Sequence, residues 1–481
     1  METIHFKTVD PVSQDLLRAA SQKGLSLNWD RYEKQQPQDG FLRLGLSCPY
    51  GCMQGPCRID PYGRGARTGI CGLDRDAMAA AFLLRLALQG VLESPQSAKA
   101  GASIPWPAGL EKKGAAGLKP LGGPLSTAEI AGSAVMLSRP SASPAELVRQ
   151  ALRLSLLGIA LAGPAAAGKA PASKRVHVGY GLLAGQAVRI AVAGRVPESL
   201  IQALLKEASG KRGAEVRLLT LGDWIPVGRT FLPVACTSGE AETVLSSGAI
   251  HLLVAGAGSD PGLASLCAAL KIPVAAAAGT PKATTLIRQA QAAFDRPAGS
   301  SFVPDASLVG EADVKMAGAD IAAALKGGRG AKLALVGGAD TLFQSFGHLP
   351  VETARGLIGE GYAIASWGDA ALWMIKQDLP VAVLDSQTGP LAAVAALASA
   401  GKLSSLDGIC FTGLKGCRDF TGALGLAALG LKVFVAVPLP LWGSEAVRTT
   451  LIKQLAASGG ILTHGDHPAQ ADEILGWFLR S

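Results

Sequence analysis

Hydrophobic positions along this chain follow two periods, and the change from one to the other divides the sequence. In the first 172 residues, apolar side chains recur at helical spacing. This pattern predicts helices over residues 11–24, 73–90 and 144–161. Gly24 ends the first of these helices, and Pro144 suits the first turn of the third. Residues 101–125 are rich in proline and glycine and are predicted to form a linker.

After residue 173, short apolar runs that end near glycine alternate with helical segments. These runs predict strands over residues 188–193, 216–221, 251–256, 272–278, 332–337, 362–366, 381–385, 406–412 and 431–437. Alternating strands and helices are typical of parallel sheets. We therefore predict an α/β fold. It begins with a helical domain at 1–172, which carries a cysteine-rich loop. Rossmann-like parallel-sheet domains follow at 173–328 and 329–481.

The composition allows large buried cores. Hydrophobic residues make up 49% of the 481 residues, and 60 glycines with only 5% aromatic residues suit closely packed α/β layers. Disordered, disulfide-rich and coiled-coil classes are excluded. No apolar run reaches the ~18 residues that cross a bilayer, and the first residues lack the pattern of a secretory signal. The expectation is a cytoplasmic protein without a membrane span.

The net charge of +8 comes from scattered lysines and arginines rather than from a basic arm with interleaved aromatic residues. Nucleic acid is therefore not an expected partner. A mildly basic surface would suit an acidic redox protein such as a ferredoxin, although an ordinary solvated surface explains the same charge. No glycine-rich dinucleotide motif opens a helix directly after a predicted strand, so a bound dinucleotide is not expected.

Four of the eight cysteines lie in one short segment, with the spacing C-x3-C-x4-C-x13-C. They are Cys48, Cys52, Cys57 and Cys71. In a cytoplasmic chain, such a cluster indicates a metal site rather than disulfides. Four thiolates can hold one [4Fe–4S] cluster, and Gly55 lets the loop turn around it. A structural zinc site remains the alternative on spacing alone, but zinc sites usually pair their cysteines at short intervals and the last interval here is 13 residues.

Longer stretches around these cysteines carry a family resemblance. They read Trp29-Asp-Arg-Tyr-Glu-Lys-Gln-Gln-Pro-Gln38, Gln54-Gly-Pro-Cys-Arg-Ile-Asp-Pro61 and Gly69-Ile-Cys-Gly72. They resemble the N-terminal part of the nickel-dependent, anaerobic carbon monoxide dehydrogenases, whose chains are considerably longer. Weaker likeness continues to the end of the chain. The resemblance implies the same three-domain plan and a [4Fe–4S] cluster on the four cysteines.

Departures from the family pattern change what this chain is expected to do. The resemblance implies two further cysteines per subunit that hold a cluster shared across a homodimer axis. Asp39 and Ser47 stand at those two positions, so we expect no shared cluster. The stretch that carries a catalytic lysine in the family, just before Trp442, is also missing. This chain therefore resembles a shortened, divergent member.

The family's nickel–iron cluster is implied to need one histidine and five cysteines, and this chain retains only Cys417 at a corresponding position. The other positions hold Arg195, Gly222, Gly258 or Ser259, Gly338 and Asp369. Arginine cannot lose its proton to bind nickel, and five replaced ligands leave no comparable donor set. Nickel is therefore not an expected cofactor. Arg195 and Lys415 are expected to line the cavity that remains, where they could attract an anion.

The remaining cysteines support a weaker hypothesis. Cys410 and Cys417 flank a glycine-rich turn after a predicted strand, which is where parallel sheets bind ligands. They could form a second metal site, with Asp369 as an oxygen ligand, or they could belong to a structural loop. Cys236 and Cys267 lie in apolar surroundings and are predicted to be core thiols.

Three functional hypotheses follow. The preferred one is an iron–sulfur electron-transfer subunit of a larger redox complex, without CO oxidation activity. Its partner would be another redox subunit or a ferredoxin-like carrier in a hetero-complex, and a dimer is left open. The second is a redox enzyme with a remodelled metal site between the Rossmann-like domains, which requires a well-formed cavity. The third is a structural subunit whose buried cluster only staples the helical domain.

Overall fold

The computed structural model describes most of the chain. The described residues are 6–35, 39–50, 52, 54–60, 62–93, 104–138, 142–166, 174–209, 215–227, 230–279, 281–295, 310–314, 332–384 and 389–480. Within them, helices come first and two mainly parallel sheets with flanking helices follow, so the predicted α/β fold is confirmed. The predicted domain boundaries at 172/173 and 328/329 lie outside the described residues.

The N-terminal region is helical. Its helices are α1 (Pro11–Gln22), α2 (Asn28–Lys34), α3 (Gly40–Arg43), α4 (Arg75–Leu92), α5 (Glu111–Leu118), α6 (Ala128–Ser138) and α7 (Pro144–Ala166). The three predicted helices are confirmed as α1, α4 and α7. Asp10 caps α1 by accepting a hydrogen bond from the Val12 N–H at 2.9 Å, and Gly24 follows the helix with a φ of 69°.

The predicted linker at 101–125 is partly wrong, because it contains α5. Its Gly117 lies so close to the end of another helix that a Cβ there would be 2.5 Å from the Ala428 carbonyl oxygen. A glycine that indicates a linker in the sequence is therefore a point of close helix contact in the fold.

The first sheet contains seven strands within the described residues. In chain order its strands are β1 (Lys174–Val178), β2 (Val188–Ala193), β3 (Val216–Leu221), β6 (Val234–Cys236), β7 (Leu252–Ala255), β8 (Val274–Ala276) and β9 (Gly310–Val314), while β4 (Pro226–Val227) and β5 (Thr230–Phe231) form a separate hairpin. The order across the sheet is β8-β7-β2-β3-β6-β1-β9, and all neighbours are parallel except β1 and β9. Strands β1, β6 and β9 are absent from the predicted set.

The second sheet has six parallel strands in the described part of the chain. They are β10 (Leu333–Gly338), β11 (Ala363–Ser366), β12 (Val381–Val383), β13 (Leu406–Gly413), β14 (Lys432–Val435) and β15 (Ile461–His464). Their spatial order, β12-β11-β10-β13-β14-β15, is the 3-2-1-4-5-6 arrangement of a Rossmann fold. The order reverses between β10 and β13, so a crevice opens at the carboxyl ends of these two strands.

Helices cover both sheets. They are α8 (Glu198–Ser209), α9 (Ala241–Ser246), α10 (Pro261–Leu270), α11 (Ala283–Phe294), α12 (His348–Gly359), α13 (Gly368–Lys376), α14 (Pro390–Ser399), α15 (Cys417–Ala428), α16 (Glu445–Ala456) and α17 (Ala471–Leu479). Within the described ranges, no helix combines the length and the apolar character needed to cross a bilayer.

The helical region is divided between the two sheets rather than packed on itself alone. Leu16 and Ala20 of α1 join the core formed by β2, β3 and β7 of the first sheet. Helices α4 and α7 share a second core with α15 and with one face of the second sheet, where Leu335 and Ile409 contribute. The cysteine loop between α3 and α4 is therefore anchored to a helix that is buried against the second sheet.

Close packing of α15 against α7 generates a stability prediction. A Cβ at Gly425 would lie 2.6 Å from the Ser155 carbonyl oxygen and 2.7 Å from the Ile159 Cγ1, whereas a Cβ at Gly422 would meet nothing within 4 Å. We expect Gly425→Ala to lower the free energy of unfolding by about 1–3 kcal/mol. Gly422→Ala, on the same helix, should raise it by roughly 0.5–1 kcal/mol. Anaerobic chemical denaturation measures both values, and equal effects would contradict the predicted packing role.

Candidate functional site

The first two segments of the cysteine loop are held together by backbone pairing. Ser47 and Arg58 form an antiparallel bridge, and the Cys48 N–H donates to the Cys57 carbonyl oxygen at 2.9 Å. Cys48 and Cys57 are partly buried against a small apolar cluster formed by Leu46, Ile59 and Met78. The pairing therefore holds Cys48 and Cys57, two of the four predicted ligands, next to each other on two paired segments of the loop.

A glycine turn brings the fourth cysteine to the same place. The Gly69 N–H donates to the Leu73 carbonyl oxygen at 2.8 Å, and the Gly72 N–H donates to the Gly69 carbonyl oxygen at 2.9 Å. Gly69 itself packs on the loop, since a Cβ there would be 3.5 Å from the Cys57 sulfur. Cys71 thus sits in a tight turn directly before α4. Cys52 and Cys71 are exposed to solvent.

The other three cysteines lie close enough to Cys48 for their charges to act on it. Burial raises the pKa of the Cys48 thiol, and negative charge on the other three cysteines raises it further. Beside them, the buried Tyr50 hydroxyl lacks a hydrogen-bond partner among the described residues. Burial, followed by the charges of Cys48 and Cys71, raises the pKa of Tyr50 to about 12. Loss of the Cys48 proton therefore needs a nearby positive charge, and the Tyr50 hydroxyl beside it is available to donate a hydrogen bond.

This donor set fits a [4Fe–4S] cluster. A single metal ion bound by three or more ligand side chains requires those side chains to meet at one point. Among the described residues, no three histidine, cysteine, aspartate or glutamate side chains meet in this way. In a [4Fe–4S] cluster each cysteine binds a different iron, so the sulfurs surround the cluster instead of meeting at one atom. Cys48, Cys52, Cys57 and Cys71 are the residues that would hold it.

A cavity of about 290 Å³ lies where the carboxyl ends of both sheets face each other. It opens at the crevice between β10 and β13 and is lined by residues that follow strands of both sheets, including Gly194, Arg195, Gly222, Asp223, Gly258, Gly338, Asp369 and Lys415. A neighbouring cavity of about 390 Å³ shares part of this lining. The chain thus has a ligand-sized space at the usual binding position of parallel sheets.

The positions that the family resemblance assigns to lost metal ligands converge on this cavity. Arg195, Gly222, Gly258, Gly338 and Asp369 all line it, as Lys415 does, so the predicted lining by Arg195 and Lys415 is confirmed. Cys417 lies between the lining residues Gly416 and Arg418, and its sulfur is 3.5 Å from the Gln89 Oε1. Residues far apart in the sequence are therefore brought together as the resemblance implies.

Two of the glycines at these positions have no room for a side chain. A Cβ at Gly222 would overlap the backbone nitrogen of Ser238, and a Cβ at Gly338 would overlap the carbonyl oxygen of Gly413. Their φ angles, 85° and 132°, are also unfavourable for other residues. At Gly258, by contrast, a Cβ would meet nothing within 4 Å. Adjacent loops thus occupy the space that two cysteine side chains would need.

Asp369 joins the two sheets across the cavity. Its Oδ1 accepts a hydrogen bond from the Ser238 N–H at 2.8 Å, and its Oδ2 accepts from the Ser238 hydroxyl and from the Asp340 N–H, the latter at 2.9 Å. Burial raises the pKa of this carboxyl, whereas Lys415 lowers it. Both oxygens have protein donors, so the structure gives Asp369 a linking role where the sequence suggests an oxygen ligand.

The other carboxylates of the cavity are engaged in the same way. Asp223 accepts from the Gly194 N–H at 2.7 Å and pairs with Lys415 at 3.1 Å. Glu93, the residue that follows α4, accepts from the Arg418 N–H at 3.1 Å, and its carbonyl oxygen accepts from the Arg195 guanidinium at 2.9 Å. These bonds tie the helical region and both sheets to one another at the cavity.

The remaining cysteines lie in different environments. Cys410 is fully buried in β13 against Ala334 and Val336, and burial raises the pKa of its thiol well above the ordinary value. Cys417 begins α15 and is only partly buried. Within the described residues, neither belongs to a metal-binding group. Cys236 and Cys267 are buried in the core of the first sheet, which confirms their predicted role.

Sequence reasoning missed a buried polar network next to the cavity. Lys376 bonds to Asp10 at 2.9 Å and to Glu240 at 3.1 Å. Burial lowers the pKa of Lys376, but the two carboxylates outweigh it and raise the value to about 12. Asp340 accepts from the Trp373 Nε1 at 2.7 Å. Each of these polar residues stands alone in its own stretch of sequence, so no motif could have indicated the network.

Comparison with known proteins identifies similar chains at two levels. No protein-family model matches. The carbon monoxide dehydrogenase 1 of Methanosarcina mazei is 48% identical over 89 residues, which are 18% of this chain and 14% of that protein. The carbon monoxide dehydrogenase of Rhodospirillum rubrum is 46% identical over 81 residues, 17% of this chain and 12% of that protein. The matched segment therefore spans about one eighth to one seventh of the length of these relatives.

Solved structures extend the similarity to the whole fold. A carbon monoxide dehydrogenase from Thermococcus sp. AM4 superimposes with a TM-score of 0.82 at 18% identity, covering 98% of this chain and 96% of that chain. Carbon monoxide dehydrogenase IV from Carboxydothermus hydrogenoformans gives 0.81 at 19% identity, covering 98% of each chain. At these identities the likeness shows a shared fold. It agrees with the helical region and two Rossmann-like sheets described above.

The buried Asp340 generates a prediction about pH. Burial raises the pKa of Asp340 well above its usual value, and the nearby Asp369 raises it further. The folded state therefore holds this proton more tightly, and the free energy of unfolding falls as the pH rises from about 4 through the raised pKa. Asp340→Asn removes the titrating carboxyl and with it this fall in the free energy of unfolding. The free energy of unfolding of the variant, relative to that of the parent, should therefore increase with pH.

Denaturation at several pH values measures this difference. Asp15→Asn, at an exposed position of α1, controls for the loss of one negative charge. Parallel stability curves for the Asp340→Asn variant and the parent chain would contradict the prediction.

Proposed function

We propose that this chain, a homologue of the carbon monoxide dehydrogenases that shares their fold, is an electron-transfer protein without CO oxidation activity. Cys48, Cys52, Cys57 and Cys71 would hold one [4Fe–4S] cluster. Such a cluster supplies reversible one-electron transfer. The protein's part is to bind the cluster, to keep it near the surface and to present it to a redox partner.

The exposure of Cys52 and Cys71 carries this proposal. Electron transfer weakens steeply with distance, so a cluster that exchanges electrons with another protein must lie near the surface. A cluster that only staples the fold gains nothing from exposure. Two ligands at the surface and two packed on the apolar cluster under the loop suit a group that is anchored on one side and reachable on the other.

The interdomain cavity supports the absence of CO chemistry. Arg195 stands where the resemblance implies a histidine ligand, and a guanidinium has no lone pair to offer a metal at neutral pH. Adjacent loops fill the space that cysteines would need at Gly222 and Gly338. Asp369 has both oxygens bonded to protein donors. Nickel is therefore not expected in this chain.

The presence of Asp39 and Ser47, where the resemblance implies cysteines, supports a separate polypeptide as the redox partner. Asp39 caps α3 by accepting from the Phe41 N–H at 2.9 Å and pairs with Arg58. Its carboxylate thus serves the local fold, and the chain lacks the thiolates that the resemblance requires for a cluster on a dimer axis. Electrons would then pass to another redox subunit or to a ferredoxin-like carrier within a hetero-complex.

A second candidate function is a redox enzyme with a remodelled site between the two sheets. The observation that favours it is the cavity of about 290 Å³ at the sheet crevice. Its lining carries Arg195, Lys415 and Arg418 together with four carboxylates that are already bonded to protein donors. A metal bound there would have to involve Cys417, the half-buried cysteine next to the lining.

Metal analysis tests the proposed cofactor. Anaerobically purified protein should contain about four irons and four sulfides per chain and no stoichiometric nickel, because one complete ligand set is present. Cys57→Ser should remove most of the iron, since it breaks that set. Cys417→Ser is the matched control and should leave the iron content unchanged. Stoichiometric nickel, roughly eight irons per chain, or metal lost in the Cys417→Ser variant would contradict the proposal.

The activity prediction concerns carbon monoxide. We expect no CO oxidation with dye acceptors, before or after reconstitution with nickel, because five of the six positions that correspond to nickel–iron ligands hold neither histidine nor cysteine. The same preparation should still show a reversible one-electron reduction of its cluster by electron paramagnetic resonance. CO-dependent dye reduction above the rate of the Cys57→Ser variant would show that the residue correspondence is wrong.

A further inference from the structure

One surface around the cysteine loop combines exposed apolar side chains with positive charge. We call it the cysteine-loop surface and define it by Leu42, Tyr62, Arg64, Arg67, Ile70 and Arg75. Tyr62 is 82% exposed, Ile70 is 70% exposed and Leu42 is 48% exposed. Large apolar side chains with this exposure, in and next to the segment that carries a candidate redox centre, are typical of a surface that another protein covers.

The carboxylates of Asp60 and Asp74, in the same segment, accept hydrogen bonds from backbone N–H groups. Asp60 accepts hydrogen bonds from the Tyr62 N–H at 3.1 Å and the Gly65 N–H at 2.6 Å, and also from the Arg64 N–H. These bonds lower the pKa of Asp60. Asp74 caps α4 by accepting from the Ala77 N–H at 2.9 Å. The carboxylates therefore shape the loop, and their charges are engaged within it.

Within the described part of the chain, three arginines of the segment, unlike its aspartates, have no partner for their side-chain charge. Arg64, Arg67 and Arg75 are exposed, and among the described residues no hydrogen bond or ion pair engages their guanidinium groups. Arg58 differs, since it pairs with Asp39 and stacks over the Phe41 ring at 5.4 Å. Three guanidinium groups without such a partner thus lie in the same short exposed segment as Tyr62 and Ile70, and they present fork-shaped donors that suit carboxylates.

We propose that the cysteine-loop surface is the docking site of a small acidic electron-carrier protein. This proposal rests on the proposed electron-transfer function and adds the partner's chemistry: carboxylates opposite Arg64, Arg67 and Arg75, and an apolar centre opposite Tyr62 and Ile70. Opposite charges would steer the encounter and orient the carrier toward Cys52 and Cys71. A second copy of this chain is disfavoured, because twofold pairing of the same surface would bring like guanidinium charges together.

Binding under anaerobic conditions tests this surface. The cluster-loaded full chain is titrated with an acidic [4Fe–4S] ferredoxin as the probe, and affinity is followed from about 50 mM to about 500 mM salt. Affinity should fall steadily with salt. Charge reversal by Arg64→Glu together with Arg67→Glu should weaken binding at low salt by about tenfold or more.

A matched control separates the local surface from total charge. Lys206→Glu together with Lys453→Glu changes the net charge by the same amount at exposed positions on α8 and α16. This variant should bind the ferredoxin within about twofold of the parent. Equal weakening in both double variants would overturn the proposal, because it would indicate attraction to net charge alone.

Other outcomes also decide the question. No measurable ferredoxin binding by a chain that holds its full iron content would overturn the docking site and leave the electron-transfer proposal standing. A chain without a redox-active cluster would overturn the electron-transfer proposal, and with it the docking proposal that rests on it. Sedimentation that shows a homodimer lost in the Arg64→Glu, Arg67→Glu variant would assign the surface to a second copy and overturn the docking proposal.

Discussion

The meeting of two parallel sheets at their carboxyl ends is the constraint on which the structure depends. Strand ends leave backbone N–H groups in the loops that follow, and these groups need acceptors when they are buried. Asp369 supplies acceptors to loops of both sheets, and Asp223 does the same for the loop after β2. Carboxylates of the protein thus occupy the centre of the interface, where the resemblance implies metal ligands in related enzymes.

This arrangement shows how protein groups alone can bridge the two sheets at the cavity. A buried carboxylate is costly unless donors surround it, and here backbone amides, the Ser238 hydroxyl and Lys415 do so. The bonds run between segments that are far apart in sequence, so they hold the two sheets at a fixed separation. Loops that pack directly on Gly222 and Gly338 complete the interface.

The cysteine loop, unlike the cavity, is held mainly by contacts between residues that are close in the sequence. It needs only local backbone pairing, a glycine turn and one helix that is anchored in the core. Because α4 is buried against α7 and the second sheet, the loop before it has a rigid base while its outer side faces solvent. A candidate redox group can therefore lie close to the surface without losing its support, and charge on that surface can act on a partner.

The sequence by itself determined three of the helices, most of the parallel strands and the candidate ligands. Apolar periodicity predicted α1, α4, α7 and most of the parallel strands, because burial of one face leaves a repeating pattern, and the spacing of Cys48 to Cys71 indicated a metal loop. Only the tertiary structure decided that α5 lies within the predicted linker, that Asp369 links the sheets, and that Lys376 and Asp340 join a buried network. Those features depend on contacts between residues distant in the chain, and such contacts leave no period or motif in a single sequence.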